Sequence, residues 1–378
     1  MSDTIVVSIT EHFSDLEDPR VEGRIAHRLI DIILIAICAV ICGADSWAEI
    51  ETFGEAKEDW LKSFLDLPNG IPSHDTFGRV FARLNPESFQ RRFMEWIQHI
   101  EQVTKGQVIA IDGKTVRRSH DRTNGKEAIH IVSAWATQNR VTLGQRKVDS
   151  KSNEITAIPE LLSLLDVSDC IVTIDAMGCQ KEIATQIVEQ GGDYVLAVKK
   201  NQPTLHERIE ELFAYADKEN YCAVESDMVQ RIDKGHGRVE IRRCWTISES
   251  DFLVYVQDHL NWPHLKTIAK VVGTRRIGET ETNQTRYYIT NLENNATKLL
   301  HAVRRHWSIE NSCHWVLDIA FREDESRIRE GHSAENFSTL RRMTLALLKR
   351  ETSFKRGIKA KRLKAALDEK YFLKLLSV

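Results

Sequence analysis

The sequence predicts an α/β protein in which a helical first third precedes a mixed sheet. Three observations support this fold class. Apolar residues recur at helical spacing over residues 1–105, and short apolar strands alternate with helices from residue 106. Over residues about 221–292, apolar and polar side chains alternate. Strand–helix alternation is typical of α/β layers, and alternation at every second residue is typical of antiparallel strands.

The first 105 residues are predicted to form a helical N-terminal domain. Helices over residues 23–43 and 46–65 come first, and Ser73 is a candidate N-cap of a third helix. Arg79 and Arg83 lie four residues apart and share one face of that helix. The segment is therefore either a helix-turn-helix-like DNA-binding unit or a docking domain. Its net charge of −8 favours docking slightly.

The next part of the chain, to about residue 213, is predicted as five strands and three helices. The strands cover 108–113, 128–137, 141–148, 170–176 and 193–199, and the helices cover 155–165, 181–192 and 203–213. Antiparallel strands are then expected at 238–247, 252–256, 267–277 and 285–290. A long helix over roughly 296–320 and a last helix over about 333–350 complete the prediction.

Charge and composition limit the class of protein. Residues 341–378 carry 12 basic and 3 acidic side chains, so the basic cluster over 341–364 is predicted either to contact phosphates or to form a solvated helix. The longest apolar run, 32–42, is shorter than the roughly 20 residues of a membrane span. The acidic N-terminus lacks a signal-peptide pattern, and the seven cysteines form no CxxC pair. These features predict a cytoplasmic protein with reduced thiols.

Two acids stand at unusual places in the predicted sheet. Asp112 lies in the first strand and Asp175 ends the fourth. A carboxylate in an apolar strand is costly unless it is paired or binds a metal. Such acids on neighbouring strands suit Mg²⁺, which prefers oxygen ligands. The alternative is that both acids cap nearby backbone amides.

Polar side chains also follow one face of the long helix. His306, Glu310 and His314 are spaced by four residues, and Asp318 lies roughly on the same stripe. The stripe is compatible with metal binding, with DNA contact, or with the polar face of an ordinary amphipathic helix. It supplies the candidates for a third carboxylate.

Longer residue runs reveal a resemblance to a known family. The runs IAIDGKTVRRS, TIDAMGCQ, GGDYVLAVKKNQP and RHWSIENSCHWVLDIAFREDESR resemble the H-repeat-associated transposases of bacterial Rhs elements, which belong to the DDE transposases of insertion sequences. The early runs GADSWAEIETFGEAKEDWLKSFL and NGIPSHDTFGRVFARL look like that family's N-terminal associated domain. The resemblance covers nearly the whole chain.

The resemblance implies a ribonuclease H-like catalytic domain over residues 106–350, with a β-rich insertion at about 221–292 and a basic tail at 351–378. It implies a triad of Asp112, Asp175 and Glu310, with Glu310 preferred over Asp318. These acids would hold Mg²⁺ or Mn²⁺, as two ions, and would cut and transfer DNA strands. The partners would be double-stranded DNA, both element ends and target, and a second copy of the chain. When bound to DNA the protein would be associated with the nucleoid.

Further residues are candidates for supporting roles. Glu154 opens a helix where ribonuclease H-like enzymes place an extra acid, although an ordinary first-turn acid would also be favoured there by the helix dipole. The candidate DNA contacts, which have ordinary surface charge or a plain β-turn as their alternatives, are Lys114, Arg117, Arg118, Lys199, Lys200, Asn201, Arg238, Arg304, Arg305 and His314.

The chain departs from one signature of related cut-and-paste enzymes. Those enzymes carry Tyr, Arg and Lys around the glutamate, where this chain has Val303, His306 and Leu317. Arg304 or Arg305 is expected to substitute for the missing arginine. Two alternatives to a transposase therefore stay open. One is a nuclease or recombination factor that cuts without transposing, and the other is a catalytically idle DNA-binding relic.

Overall fold

The computed structural model describes residues 3–23, 25–101, 103–120, 125, 127–149, 153–222, 224–235, 237–257 and 259–376. Its helices, numbered α1 to α15 in chain order, are Asp3–Phe13, Leu29–Cys42, Trp47–Ala56, Glu58–Leu61, His74–Arg83, Pro86–Ile100, Glu154–Leu162, Lys181–Glu189, Pro203–Lys218, Ser250–Gln257, Ala296–Ile309, Trp315–Phe321, Ser333–Arg350, Ile358–Leu367 and Glu369–Leu375. A π-helical turn, Glu310–His314, joins α11 to α12, and a 3₁₀ turn, Glu323–Glu325, follows α12.

The nine described strands form one mixed sheet. Numbered β1 to β9, they are Val108–Thr115, His130–Ala136, Val141–Val148, Ile171–Ile174, Asp193–Val198, Ser226–Gly235, Arg238–Ile247, Thr267–Ile277 and Thr280–Thr290. Their order in space is β3-β2-β1-β4-β5-β9-β8-β7-β6. β1 to β3 pair antiparallel, while β1, β4 and β5 are parallel. This arrangement confirms the predicted ribonuclease H-like mixed sheet after a helical N-terminal part.

The β-rich insertion extends the central sheet. β9 pairs antiparallel with β5, with Leu196 opposite Ile289, and β8, β7 and β6 continue outward from it. Gly235 and Arg238 pair at the hairpin between β6 and β7. His236, which stands between them in the chain, lies outside the described residues. The insertion therefore adds four outer strands to the sheet. The candidate site lies on the central strands of the same sheet.

The first and last helices pack into one core. α2 is buried along nearly its whole length and contacts both α13 and α14. Phe77, Val80, Phe81 and Leu84 form the buried apolar face that their spacing predicts. Residues 351–378 are predicted as a basic tail, but α14 and α15 occupy most of this stretch, and Phe372 is buried.

The basic cluster over 341–364 is divided between the interior and the surface. Arg341, Arg342 and Arg362 are buried. Arg362 donates a hydrogen bond to the carbonyl oxygen of Val40 and forms an ion pair of 3.1 Å with Asp45. Charges that join distant helices inside the fold are not available to phosphates, whereas Lys355, Arg356 and Lys359 of the same cluster are exposed.

One predicted strand is wrong. Residues 252–256 lie in helix α10, which packs against α9. The ring of Phe252 meets that of Tyr215 at 5.9 Å, and the Tyr255 hydroxyl donates a hydrogen bond to Glu211. A run of five apolar residues fits a helix or a strand equally well by periodicity. Here the contacts with α9 decide for the helix.

Among the described residues, no single helix is long and apolar enough to cross a membrane. Only α2 and α3 taken together reach the required length and composition, and the chain bends by 94° between them.

Candidate active site

Strand register brings Asp112 and Asp175 side by side. Ile111 of β1 lies opposite Ile174 of the parallel strand β4, and each acid follows its isoleucine. Adjacent strands are separated by about 4.8 Å, so the two acids occupy neighbouring positions at one edge of the sheet. Both residues are half-buried. The site therefore begins as a pair of carboxylates that share a partly dry environment.

Glu310 approaches this pair from α11, which packs on β1 and β4. Nδ1 of His306 lies 3.1 Å from the Thr173 hydroxyl, which ties the helix to β4 two residues before Asp175. Glu310 opens the π-helical turn, and such turns are frequent at functional sites because they redirect side chains locally. The helix thus delivers a third carboxylate beside the strand ends.

Glu154 is a fourth acid near the same edge. Its Oε1 lies 2.7 Å from Nε2 of His130, and Nδ1 of His130 lies 2.8 Å from the Thr115 hydroxyl. A Cβ atom on Gly113 would come within 3 Å of both Glu154 and His130. Glycine at this position is therefore what lets the Glu154 carboxylate approach the backbone next to Asp112.

The four acids act on one another electrostatically. Burial, followed by the charges of Asp175, Glu154 and Glu310, raises the pKa of Asp112 to about 7. Burial and Glu154 also raise the pKa of Asp175, against the backbone amides of residues 177 and 178. Burial and Asp175 raise the pKa of Glu310. Like charges shift each other's pKa in this way only when they lie close together.

Two cations stand at the border of the acid cluster. The positive charge of Arg286, on β9, opposes the rise in the pKa of Glu310, and that of Lys199 does the same for Asp175. Arg286 was not found by sequence reasoning, because an arginine in an alternating strand has no distinguishing pattern. Burial lowers the pKa of His306 to about 4, so this residue is neutral and does not replace the missing arginine of the signature.

His314 lies behind the acid cluster. Its Nδ1 is 3.5 Å from Oδ2 of Asp112, and the residue is buried. Burial lowers the pKa of His314 to about 3, so the ring is uncharged at neutral pH. A DNA contact is predicted for this residue, but its neutral ring is buried beside Asp112.

Lys114 also points inward. Its ammonium lies 2.8 Å from carboxylate oxygens of both Asp318 and Asp324 and 3.5 Å from Glu323. Although burial acts in the other direction, the charges of Arg342 and Lys114 lower the pKa of Glu323 to about 2. These ion pairs place Lys114 in the interior, in contrast to the predicted DNA contact. They also show that Asp318 pairs with Lys114 and is not part of the acid cluster.

The other candidate DNA contacts lie nearer the surface. The exposed Arg117 reaches Asp324 at 3.2 Å, and Arg118 is exposed. Asn201 donates a hydrogen bond of 2.6 Å to the Ala176 carbonyl oxygen, and Lys200 is exposed beside it. These residues, with Lys199, follow the ends of β1 and β5. Of these residues, Lys199 is near enough to Asp175 to act on its carboxylate, and the DNA contacts stay a prediction.

Arg238, Arg304 and Arg305 lie further out. They line a groove of about 990 Å³ between the inserted strands and α11. Arg304 forms an ion pair of 2.8 Å with Asp233, and Arg238 one of 2.8 Å with Glu240.

Models of two protein families match the chain. Residues 10–97 match the model of the DDE_Tnp_1-associated family, and residues 104–347 match that of the transposase DDE domain. The chain belongs to the DDE transposase family.

Among its relatives, "Putative transposase YncI" of Escherichia coli O157:H7 is 43% identical over 98% of this chain and 95% of the relative. "H repeat-associated putative transposase YhhI" of Escherichia coli strain K12 is 42% identical over 98% of this chain and 97% of the relative. "Inactive transposase YbfQ" of strain K12 is 48% identical, but over 20% of this chain and 89% of that protein. These matches confirm the family that the sequence resembles.

A solved structure, a piggyBac transposase synaptic complex with hairpin DNA, was also compared with this chain. The similarity covers 100% of this chain and 80% of the piggyBac chain, at 11% identity and a TM-score of 0.37. A similarity this weak supports no conclusion about fold or activity.

Proposed function

We propose that the protein is a metal-dependent DNA transposase that cuts DNA at the ends of its element and transfers the freed strand. The observation that carries the proposal is the convergence of Asp112, Asp175 and Glu310 from two parallel strands and one helix. Each of these carboxyl groups has a raised pKa, with the other acids among the causes. The family membership supports the same reaction class.

The donor chemistry fits a hard divalent cation. Crowded carboxylates repel one another unless a cation lies between them, and Mg²⁺ and Mn²⁺ prefer oxygen ligands. In the described part of the chain, no three acidic, histidine or cysteine side chains stand close enough to hold a metal as they are. We propose Asp112, Asp175 and Glu310 as the ligands. Two ions held by these residues would lower the pKa of the attacking oxygen and would stabilise the leaving oxygen.

The chain's own residues would then position the DNA. Lys199 lies near Asp175, where its ammonium can hold a phosphate of the strand to be cut. The Asn201 side chain holds the loop after β4 through its hydrogen bond to Ala176. His314 supports Asp112 from the buried side. Water or a strand 3′-hydroxyl attacks the phosphodiester in line, and catalysis rests on positioning and charge neutralisation.

The proposed partners are double-stranded DNA and a second copy of the chain. A transposase must hold two element ends, and a symmetric pair of copies is the commonest arrangement that presents two equivalent sites. We propose that this pair assembles on DNA, in the cytoplasm and at the nucleoid. Sedimentation of the protein alone and with duplex ends measures the number of copies in each state.

The test is cleavage of a labelled duplex that carries the inverted repeats flanking the gene, with Mg²⁺ or Mn²⁺. The wild type should nick the repeat ends. Glu310→Gln should lower the rate by on the order of 10³-fold or more, because it removes a proposed ligand of the cations that would stabilise the anionic transition state. The exposed Glu189 gives a matched control, Glu189→Gln, which should cut like the wild type.

Two other outcomes would point to other functions. Cleavage without joining of the freed 3′-end would indicate a nuclease or recombination factor. Binding of the repeats without cleavage by the wild type would indicate an idle DNA-binding relic. Two observations favour testing these alternatives. The chain departs from the signature at Val303, His306 and Leu317, and His306 is neutral.

A further inference from the structure

A groove with strongly positive walls runs beside the acid cluster. One wall consists of β7, β8 and β9, and the other is α11. Six arginines line it against a single acidic residue, Glu240. Such an excess of one charge in a concave surface attracts a polyanion. The six are Arg238, Arg242, Arg275, Arg286, Arg304 and Arg305.

These arginines fall into two groups. Arg238, Arg242 and Arg304 are neutralised by the carboxylates of Glu240 or Asp233. Among the described residues, the other three form no ion pair with a carboxylate. Arg305 donates a hydrogen bond to the ring of His301 at 3.2 Å, and Arg275 is exposed. The free charges are therefore those of Arg275, Arg286 and Arg305.

An aromatic platform stands in the same groove. The guanidinium of Arg286 lies 4.4 Å from the ring centroid of Trp307 and donates a hydrogen bond to Gln284. The Trp307 side chain is partly exposed. A basic groove with an exposed aromatic ring is the combination that binds unpaired nucleic acid, because phosphates meet arginines and bases stack on the ring.

The groove leads to the acid cluster. Asn311 and Ser312, which directly follow Glu310, form part of its lining. Arg286 is close enough to Glu310 to act on its carboxylate. The volume of about 990 Å³ is that of a cleft for a small ligand, which admits one strand more readily than a duplex.

We propose that this groove binds an unpaired stretch of one DNA strand and feeds it toward Glu310. Arg275 and Arg305 hold its phosphates, and the Arg286–Trp307 pair holds a base. The proposal rests on the proposed function, which it deepens by naming where unpaired DNA lies. It predicts that DNA with an unpaired end is the preferred ligand.

The test compares binding of a blunt duplex with the same duplex carrying a short single-stranded tail, in buffer without divalent metal. The wild type should bind the tailed duplex more tightly. Arg275→Ala combined with Arg305→Ala should remove this preference. Loss of two single-strand phosphate contacts should also reduce the slope of log affinity against log salt by about 1.4.

The matched control is Arg276→Ala combined with Lys298→Ala. Arg276 follows Arg275 on β8 but pairs with Glu281, and Lys298 is an exposed residue of α11 outside the groove lining. This control removes the same charge from the same two elements. It should keep both the tail preference and the salt slope.

Each outcome separates the two proposals. Two results overturn the groove proposal alone. In the first, the double variant Arg275→Ala, Arg305→Ala still prefers the tailed duplex. In the second, the wild type cuts DNA but does not prefer the tailed duplex. A wild type that binds neither DNA overturns the proposed function and the groove proposal together. If this double variant and its control lose the preference for the tailed duplex equally, the effect is due to overall charge, and the groove proposal is also overturned.

Discussion

Nε2 of His130 lies 2.7 Å from Oε1 of Glu154, directly over the glycine that follows Asp112. The pair places a fourth carboxylate within the electrostatic reach of the proposed triad. Glu154 is among the causes that raise the pKa of both Asp112 and Asp175. The contact therefore links a residue outside the proposed triad to the ionisation of two residues within it.

Glu154→Gln should lower the pKa of Asp112. The substitution removes a negative charge that disfavours the ionised carboxylate, so less alkaline conditions suffice to ionise it. Carbon NMR of the labelled aspartate carboxyl groups in metal-free protein should show Asp112 titrating near pH 7 in the wild type and lower in the variant. Glu189→Gln should leave the titration unchanged. An unchanged midpoint in Glu154→Gln would separate Glu154 from the cluster.

Asp112→Asn should stabilise the metal-free protein at pH 8. The pKa of Asp112 is raised from 3.8 to about 7 in the fold, so the folded state binds more protons than the unfolded state between these values. Stability is therefore lost as pH rises from about 4 to 7. The variant should gain on the order of 2–4 kcal/mol at pH 8 and little at pH 4. Urea unfolding at both pH values measures this, and an equal change at both would contradict the account.

Gly113→Ala should disturb the site more than the fold. The added methyl group would meet Glu154 and His130 within 3 Å, so those side chains must move. We expect a stability cost of about 1–3 kcal/mol, with a fall in cleavage of about tenfold or more. Gly235→Ala is the control, because a Cβ there meets nothing within 4 Å. Cleavage by Gly113→Ala at the wild-type rate would show that this close approach is not needed.

Lys114→Met should destabilise the protein without directly weakening DNA binding. The lysine lies between Asp318, Glu323 and Asp324. Removing it leaves Arg342 as the partner of Glu323 and Arg117 as that of Asp324, so we expect a cost of about 1–3 kcal/mol. Lys105→Met, at a lysine that is 87% exposed, should have little effect. Thermal unfolding and DNA binding below the melting temperature measure the two effects. Normal stability with lost DNA affinity would restore the surface role that the sequence predicts for Lys114.

Local sequence patterns predict much of the fold. The bounds of β3, β7, β8 and α13 agree with periodicity. Asp112 lies within β1, and Asp175 directly follows β4. The strand predicted at 252–256 is wrong, because this apolar run is too short to show whether its period is that of a strand or of a helix such as α10. Local patterns also do not indicate that α14 packs on α2, more than 300 residues earlier in the chain.

Charged side chains show the limit of such predictions. Lys114 and Arg362 carry the same local signal as surface cations, and only partners far along the chain place them inside. Arg286 stands near Glu310 because β9 joins β5 in the sheet, a pairing that local sequence does not encode. Strand position alone indicates Asp112 and Asp175, the family resemblance implies the triad with Glu310, and the electrostatic coupling of the three acids is visible only in three dimensions.

The most direct measurement of the central claim is the binding of Mn²⁺ to the free protein, followed by the electron paramagnetic resonance of unbound Mn²⁺. If Asp112, Asp175 and Glu310 form one metal-holding unit, the wild type and Glu189→Gln should bind Mn²⁺ equally. Asp112→Asn, checked for folding by circular dichroism, should lose that binding. Equal binding by Asp112→Asn and the wild type would contradict the claim that these acids hold the metal.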